Sequence, residues 1–353
     1  MTRIGYETLL HFCQRIFAIN GMPPEDAQLA ADVLLSADLR GIDSHGVARL
    51  SGYLRLLDAK RANFKPDWKV IHETPSTACI DADSGLGLTI APKAMKLAMD
   101  KAKVAGTGWV AIQNSNHFGI AAYHAMLALP EDMIGIAMTN ASPLVAPTFS
   151  KERMLGTNPI CYAFPAKKYQ PVVIDMATSA AANGKLEIAQ RSGKSIPANW
   201  VQSKDGDASL DPDELKKGGS LLPLGGHKGY ALGALVDLLT SVLSGANYGP
   251  WVPPFVAFLD PLNDLPGKGI GHFIGAMRVD AFRPKETYYT HIDNWIQRFK
   301  EAVPVDPAQP VLIPGEPEYL IKLERIKEGI PLNEQVLLDL RQLASKYHVE
   351  LAF

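Results

Sequence analysis

From about residue 70 the chain alternates short β-rich runs with helical ones, and no other feature constrains its fold as much. "TACIDAD" is followed by the helical pattern "APKAMKLAMDKAKVAG", then by "TGWVAIQNS", a helix after Phe118, and "MIGIAMTN". "PICYAFPA" and "PVVIDMA" read as two more strands. "FVAFLD" and "HFIGAMRVDAF" read as later ones, with long helices at about Ala180 to Arg191 and Tyr230 to Leu243 before them. Strand-like runs separated by helix-period runs predict an α/β core. The ends differ. Tyr6 to Ile19 carries Leu9, Leu10, Cys13, Ile16 and Phe17 on one side. "MPPEDAQLAADVLLSADLRG" begins with prolines and acids and stops at Gly41, as a helix should. "DSHGVARLSGYLRLL" supplies a third helix, and "YYTHIDNWIQRFKEA", "PEYLIKLERIKEG" and "LNEQVLLDLRQLASKYH" supply helices at the other end. The two helical ends are expected to pack as one lobe. The expected organisation is a helical segment 1–65, a central α/β domain for cofactor and substrate 66–285, and a helical segment 286–353 packing with the first.

The chain's 353 residues are enough for a substantial core, and 47% hydrophobic with 20% charged residues is ordinary for a globular protein. A net charge of -2 argues against nucleic-acid or anionic-membrane partners. The longest apolar candidate for a membrane span, "YALGALVDLLTSVLSGA", is interrupted by Asp237. The N-terminus does not read as a signal peptide. Cys13, Cys79 and Cys161 are far apart in apolar surroundings and read as reduced core residues of a cytoplasmic protein. No Cys or His pair has zinc-ligand spacing, so no metal is expected.

Common cofactor motifs are missing. "GLGLTI" lacks the third glycine of a dinucleotide fingerprint, "RSGKS" lacks the leading glycine of a P-loop, and there is no G-x-S-x-G elbow. Other segments carry candidate chemistry. In "DSHGVARLSGYLRLL", Asp43 and Ser44 read as helix N-caps, and a helix from there places His45, Arg49 and Tyr53 along one face. That face reads as a substrate surface or as an ordinary wet one. "SNHFG" puts His117 at the C-terminal end of a strand, as a functional group or equally as a turn histidine. "TNASPLVAP" and "GTNP" are loops that suit a ligand but also simply suit turns. "IDMATSAAANGK" sets Asp175, Thr178 and Ser179 between a strand and a helix, as an anion site or as a plain N-cap. "LGGHKGYALG" places Lys228 among glycines, as a phosphate-approach loop or as a flexible loop.

In combination the segments are more specific. "DSHGVARL", "SNHFGIAAYHA", "GTNPICYAFP", "VVIDMATS", "GGHKGYALG" and "PGEPE...EGIPL" occur in one order from about residue 4 to 335. This set resembles the type-2 malate/L-lactate dehydrogenase family. That family also includes sulfolactate, ureidoglycolate and diketogulonate dehydrogenases and piperideine-2-carboxylate reductases. The resemblance implies a non-Rossmann α/β fold with a mixed-sheet core, a homodimer, and NAD(P)-dependent hydride transfer between a small 2-hydroxy acid and its 2-oxo acid. It implies that Ser44, His45, Arg49 and Tyr53 line the substrate pocket, with Arg49 clamping the carboxylate. His117 is implied as the acid/base, with His45 its competitor. Ser142, the run Asp175, Met176, Ala177 and Thr178, the pair Lys228–Gly229, and the pair Gly315–Glu316 match cofactor-contacting segments. Relatives commonly carry arginine where this chain has Asn183, which favours NAD and leaves NADP open. Two alternatives stay open: a cyclic imine reductase using the same residues, and a nucleotide-binding module that has lost catalysis.

Overall fold

The structure is a computed structural model that describes residues 2–191, 193–256 and 259–351. The chain opens with β1 (Thr2–Ile4), α1 (Tyr6–Ile19) and α2 (Pro24–Leu39), then passes through two tight turns into α3 (Leu50–Asp58). Next come β2 (Lys69–Glu73), β3 (Thr77–Asp81), α4 (Gly87–Ala105), β4 (Thr107–Ser115) and α5 (Ala121–Met126). They are followed by β5 (Met133–Thr139), β6 (Ile160–Phe164), β7 (Val172–Met176) and α6 (Asn183–Arg191). The short strands β8 (Val201–Gln202), β9 (Ala208–Ser209) and β10 (Ser220–Leu221) form a small sheet of their own. The chain ends with α7 (His227–Asp237), β11 (Ile270–Arg278), α8 (Lys285–Lys300), α9 (Glu316–Glu328), β12 (Ile330–Leu332) and α10 (Glu334–Tyr347).

The core is a seven-stranded mixed sheet in the order β2-β3-β4-β11-β5-β6-β7. Only β3 and β4 run parallel, joined by α4 as a crossover; the other neighbours are antiparallel. This is the expected mixed-sheet α/β core. The helices lie very close to the sheet. A Cβ on Gly135 of β5 would fall 1.8 Å from the Ala125 carbonyl oxygen of α5, so only glycine lets that helix approach. Ala91, Ala94, Ala98 and Ala102 of α4 are fully buried against the sheet.

β1 pairs with β12, Thr2 opposite Leu332. Leu337, Leu340 and Leu343 of α10 share a core with Leu9, Phe12 and Ile16 of α1 and with Leu34 and Leu35 of α2. α8 packs elsewhere, with Ile296 against Val172 of β7 and Ile313.

Two local expectations fail, and one strand goes unread. β2 went unread because all five of its residues are exposed and it lacks an apolar alternation. α4 starts at Gly87, four residues before the expected start at Ala91, so Pro92 lies a turn inside the helix. "FVAFLD" is not a strand where it is described. Phe255, Val256, Leu259 and Asp260 lie in loop, and Ala257 and Phe258 fall outside the described residues. No helix among the described residues is long and apolar enough to cross a membrane.

Candidate active site

The segment after α2 does not start an α-helix. Asp43–His45 and Val47–Arg49 are separate single-turn 3-10 helices, and the α-helix begins only at Leu50. Gly46 divides them, with φ -88° and ψ -147°. The cause lies beneath the turn. The buried Asp38 carboxylate accepts a hydrogen bond from the Val47 N–H at 2.7 Å, and a Cβ on Gly46 would sit 2.0 Å from Asp38 Oδ1. From outside, the Arg325 guanidinium bonds both the Asp43 carboxylate and the Asp38 carbonyl. Asp43 and Ser44 are therefore not α-helix N-caps, and no helix dipole acts on His45. Gly46→Ala forces a methyl into a buried carboxylate. It should lower stability by about 1–3 kcal/mol and reduce kcat/KM, as read by thermal unfolding and steady-state kinetics. Parental values of both would show that the turn does not rest on Asp38.

The turn meets the end of β4. Asn116 donates to the carbonyls of Ser84 at 2.7 Å and Arg61 at 3.2 Å, fixing the bend that presents His117. His117 Nδ1 lies 2.7 Å from the Tyr53 hydroxyl and accepts from the Gly119 N–H at 3.3 Å. The His45 ring stacks on the His117 ring at 5.6 Å between centroids, 23° from parallel. His45 Nδ1 is 2.9 Å from Ser44 Oγ. Among the described residues neither histidine's Nε2 has a hydrogen-bond partner. Burial, with Arg49 adding to it, lowers the His45 imidazole to about 4. Burial also lowers His117 well below the usual histidine range, reinforced by His45 and Arg49. Both rings are neutral near pH 7.

Arg49 is half-buried. Its Nε donates to the Ser44 carbonyl at 2.6 Å, and its two terminal nitrogens have no partner among the described residues. Ser44, His45, Arg49, Tyr53 and His117 thus converge. Tyr53 is fully buried beneath His117.

Phe255 was not foreseen here. Its ring is 4.9 Å from that of His117, 5.3 Å from that of Tyr53 and 5.6 Å from the Arg49 guanidinium carbon. It fits because residue 52 is glycine, where a Cβ would meet the ring at 2.8 Å. Arg61 holds this loop by the carbonyls of Pro254, Val256 and Leu259. Ser142 Oγ accepts from the Phe255 N–H at 3.1 Å, so this hydroxyl is engaged with the loop. Reading the segment as a strand hid Phe255, and nothing local marks Arg61 as its clamp.

The segments matched to a cofactor gather around β7. Asp175 accepts from the Ala122 N–H at 2.9 Å, in the first turn after the His117 loop, and burial pushes its carboxyl up to about 6. A cavity of about 440 Å³ opens beside it, lined by residues including Arg40, Met176, Gly315 and Glu318. Arg40 was also missed; its Nε is buried without a partner among the described residues. Gly315 caps α9 at φ 87°, its backbone against Val173. The Glu316 side chain is used internally, accepting from Ile313 N–H at 3.0 Å and pairing with Lys300. Ala177 is half-buried, and the Thr178 hydroxyl donates inward to the carbonyls of Thr157 and Asn158, both at 3.1 Å. Because α6 begins at Asn183, neither Thr178 nor Ser179 caps it, contrary to the N-cap reading. Leu224 N–H donates to the Thr178 carbonyl at 2.9 Å, which brings the Lys228 loop to the end of β7. Lys228 is exposed in the first turn of α7. Gly229 is buried, and a Cβ there would fall 2.0 Å from the Leu224 carbonyl oxygen.

The family model for malate/L-lactate dehydrogenase matches residues 4–341. A malate dehydrogenase from Pyrococcus horikoshii is 41% identical over 355 residues, covering 99% of this chain and 96% of the relative. An L-sulfolactate dehydrogenase from Methanocaldococcus jannaschii is 39% identical, covering 92% of each. The solved structure of the sulfolactate dehydrogenase from that organism superposes with a TM-score of 0.92 at 36% identity, over 99% of this chain and 98% of that one. The chain belongs to the malate/L-lactate dehydrogenase family and is a 2-hydroxy acid oxidoreductase.

Proposed function

We propose that the cluster of His117, His45 and Arg49 interconverts a small 2-hydroxy acid of the malate or lactate type and its 2-oxo acid, using a nicotinamide dinucleotide. The observation that carries this reading is Arg49: a half-buried guanidinium with free terminal nitrogens beside two neutral imidazoles with free Nε2 atoms. Two parallel N–H donors match the two oxygens of a substrate carboxylate. A ring with an accessible nitrogen exchanges the proton at the substrate's O2. We assign that exchange to His117, and the positioning of the substrate to His45 and Ser44.

The residues present fit a dinucleotide. Gly225 and Gly226 have positive φ and open space at their Cβ positions. They lead into α7, whose first-turn N–H groups and exposed Lys228 suit a phosphate. The cavity with the unpartnered Arg40 Nε and the Asp175 carboxylate offers polar groups for the remainder. When bound, the cofactor supplies or accepts the hydride at the substrate's C2. Asp175, Met176, Ala177, Thr178, Gly229, Gly315 and Glu316 would then hold it through backbone and shape more than through free side-chain donors. Asn183 is half-buried and donates to Glu187 at 2.9 Å, so it puts no cation at a 2′-phosphate; this supports NAD over NADP. Lys228→Ala should weaken NADH binding about tenfold in a fluorescence titration, the scale of one charge-assisted hydrogen bond. Parental binding would make Lys228 a solvated loop residue.

The same reading takes the protein as cytoplasmic and as a homodimer. Exposed Leu238, Val242 and Leu243 after α7, and Leu320, Leu323 and Ile326 on α9, support an interface between two copies. A panel of 2-oxo acids and a cyclic imine carboxylate, each with NADH and NADPH, tests the function. Turnover of a 2-oxo acid supports it. Turnover of the imine alone would replace it with the reductase alternative, and no turnover with retained NADH binding would replace it with the inactive module.

A further inference from the structure

We propose that Phe255 is a positioning residue for the carboxylate clamp: the face of its ring sets the plane of the Arg49 guanidinium before the substrate arrives. This rests on the carboxylate role given to Arg49 above. Arg49 is hydrogen-bonded at one point, from Nε to the Ser44 carbonyl at 2.6 Å. One such bond fixes where Nε points and leaves the guanidinium plane able to turn about the N–H···O line. A bidentate pair needs that plane to match the plane of the carboxylate. The Phe255 ring supplies the second constraint. Arg49 Cζ lies over its face, 5.6 Å from the centroid. That is within reach of the attraction between a cation and the negative face of an aromatic ring.

A ring orients its neighbour only if it is fixed itself. The Phe255 N–H donates to Ser142 Oγ at 3.1 Å. Arg61 holds the carbonyls around it, donating to Val256 at 3.2 Å, to Leu259 at 3.0 Å and to Pro254. The Tyr53 ring meets it edge-on, 5.3 Å between centroids and 80° between planes. Gly52 leaves the space that the ring fills, since a Cβ there would fall 2.8 Å from it. Ser142 and Arg61 therefore act on the clamp through Phe255. The ring also touches His117, at 4.9 Å between centroids, but that contact joins two uncharged rings. Leucine at position 255 keeps apolar bulk against His117 and Tyr53 and offers no π face to the guanidinium. The two contacts are thus separable. An Arg49 that swings before binding has to be ordered by the substrate, and that ordering costs affinity. The step that Phe255 favours is substrate binding, and the proton exchange at His117 does not depend on it.

Ring fluorination of Phe255 tests this, because fluorine drains the negative face and keeps the shape of the ring. The readout is Kd for oxamate, an unreactive carboxylate analogue of a 2-oxo acid, measured on the protein–NADH complex by NADH fluorescence. Kd should rise about 3–10-fold from phenylalanine to pentafluorophenylalanine, the scale of ordering one long side chain, and in steps that follow the number of fluorines. Phe255→Leu should raise KM for the 2-oxo acid by a similar factor with kcat within about twofold of the parent. Phe255→Tyr, which keeps a π face, should stay near the parent in both. In an Arg49→Gln background, Phe255→Leu should change kcat/KM by less than about twofold. Oxamate affinity that ignores fluorination would overturn the proposal. So would a loss confined to kcat, which would make Phe255 a support for His117, and so would an equal effect of Phe255→Leu with and without Arg49. Parental oxamate affinity in Arg49→Gln would overturn the clamp assignment itself. Weak oxamate binding in Arg49→Gln with no response to fluorination would keep the clamp and remove only Phe255.

Discussion

Replacing His117 by Asn should lower kcat for 2-oxo acid reduction by about 10²–10⁴-fold, the typical contribution of general acid–base catalysis. The amide nearly matches the imidazole in size and still hydrogen-bonds Tyr53, so the packing with Phe255 and the binding of NADH should survive. His45→Asn should act more on KM. His45 and His117 have similar environments, both half-buried, both with Nδ1 beside a hydroxyl and Nε2 without a partner. The difference is in what fixes them. His117 has a fully buried phenol and a backbone donor at Nδ1, whereas His45 has only the neighbouring Ser44 hydroxyl on a tight turn. The better-fixed ring is the better proton carrier. Equal kcat losses from the two substitutions would mean that the stacked rings act as one unit.

Arg49→Lys should reduce kcat/KM for every 2-oxo acid by about 10–100-fold, from the loss of about 1.5–3 kcal/mol in charge-assisted hydrogen bonds. Lysine keeps the charge but offers no planar fork, and it cannot both hold the Ser44 carbonyl as Arg49 Nε does and present two parallel donors. NADH binding should be unaffected, because the segments assigned to the cofactor lie around β7 and α7. Unchanged kcat/KM across the panel would remove Arg49 from the substrate site. A parallel loss of NADH affinity would place it at the cofactor instead.

Much of this arrangement was legible in the sequence, for identifiable reasons. The strand at Thr107–Ser115 has the bounds read from "TGWVAIQNS", because glycine and polar residues end a β-branched and aromatic run at both sides. The convergence of the "DSHG" and "SNHFG" segments was readable only through the family resemblance. No local pattern states that Tyr53 and His117, 64 positions apart, share a hydrogen bond. The helix read through His45 failed because helical periodicity there is real from Leu50 onward, while a tertiary contact from Asp38 sets the backbone before it. Gly46 was the available signal, a glycine inside an otherwise helical pattern. Phe255 and Arg40 were hidden for a similar reason. Their roles come from what packs beside them, which the patterns of the segments that hold them do not state. The exposed strand β2 shows the converse limit, since a strand with no buried face leaves no alternation to read.

The most direct test of the account is the pH dependence of kcat/KM for 2-oxo acid reduction in the wild type, His117→Asn and His45→Asn. Burial and nearby cations lower His117 well below the usual histidine range, so the protonated ring needed for reduction is scarce at neutrality. The wild-type kcat/KM should fall about tenfold per pH unit as pH rises from 6 to 8, while oxidation of the 2-hydroxy acid, which uses the neutral ring, stays flat over the same range. His45→Asn should keep that slope, and His117→Asn should lose it. Loss of the slope in His45→Asn with its retention in His117→Asn would contradict the account and pass the proton to His45.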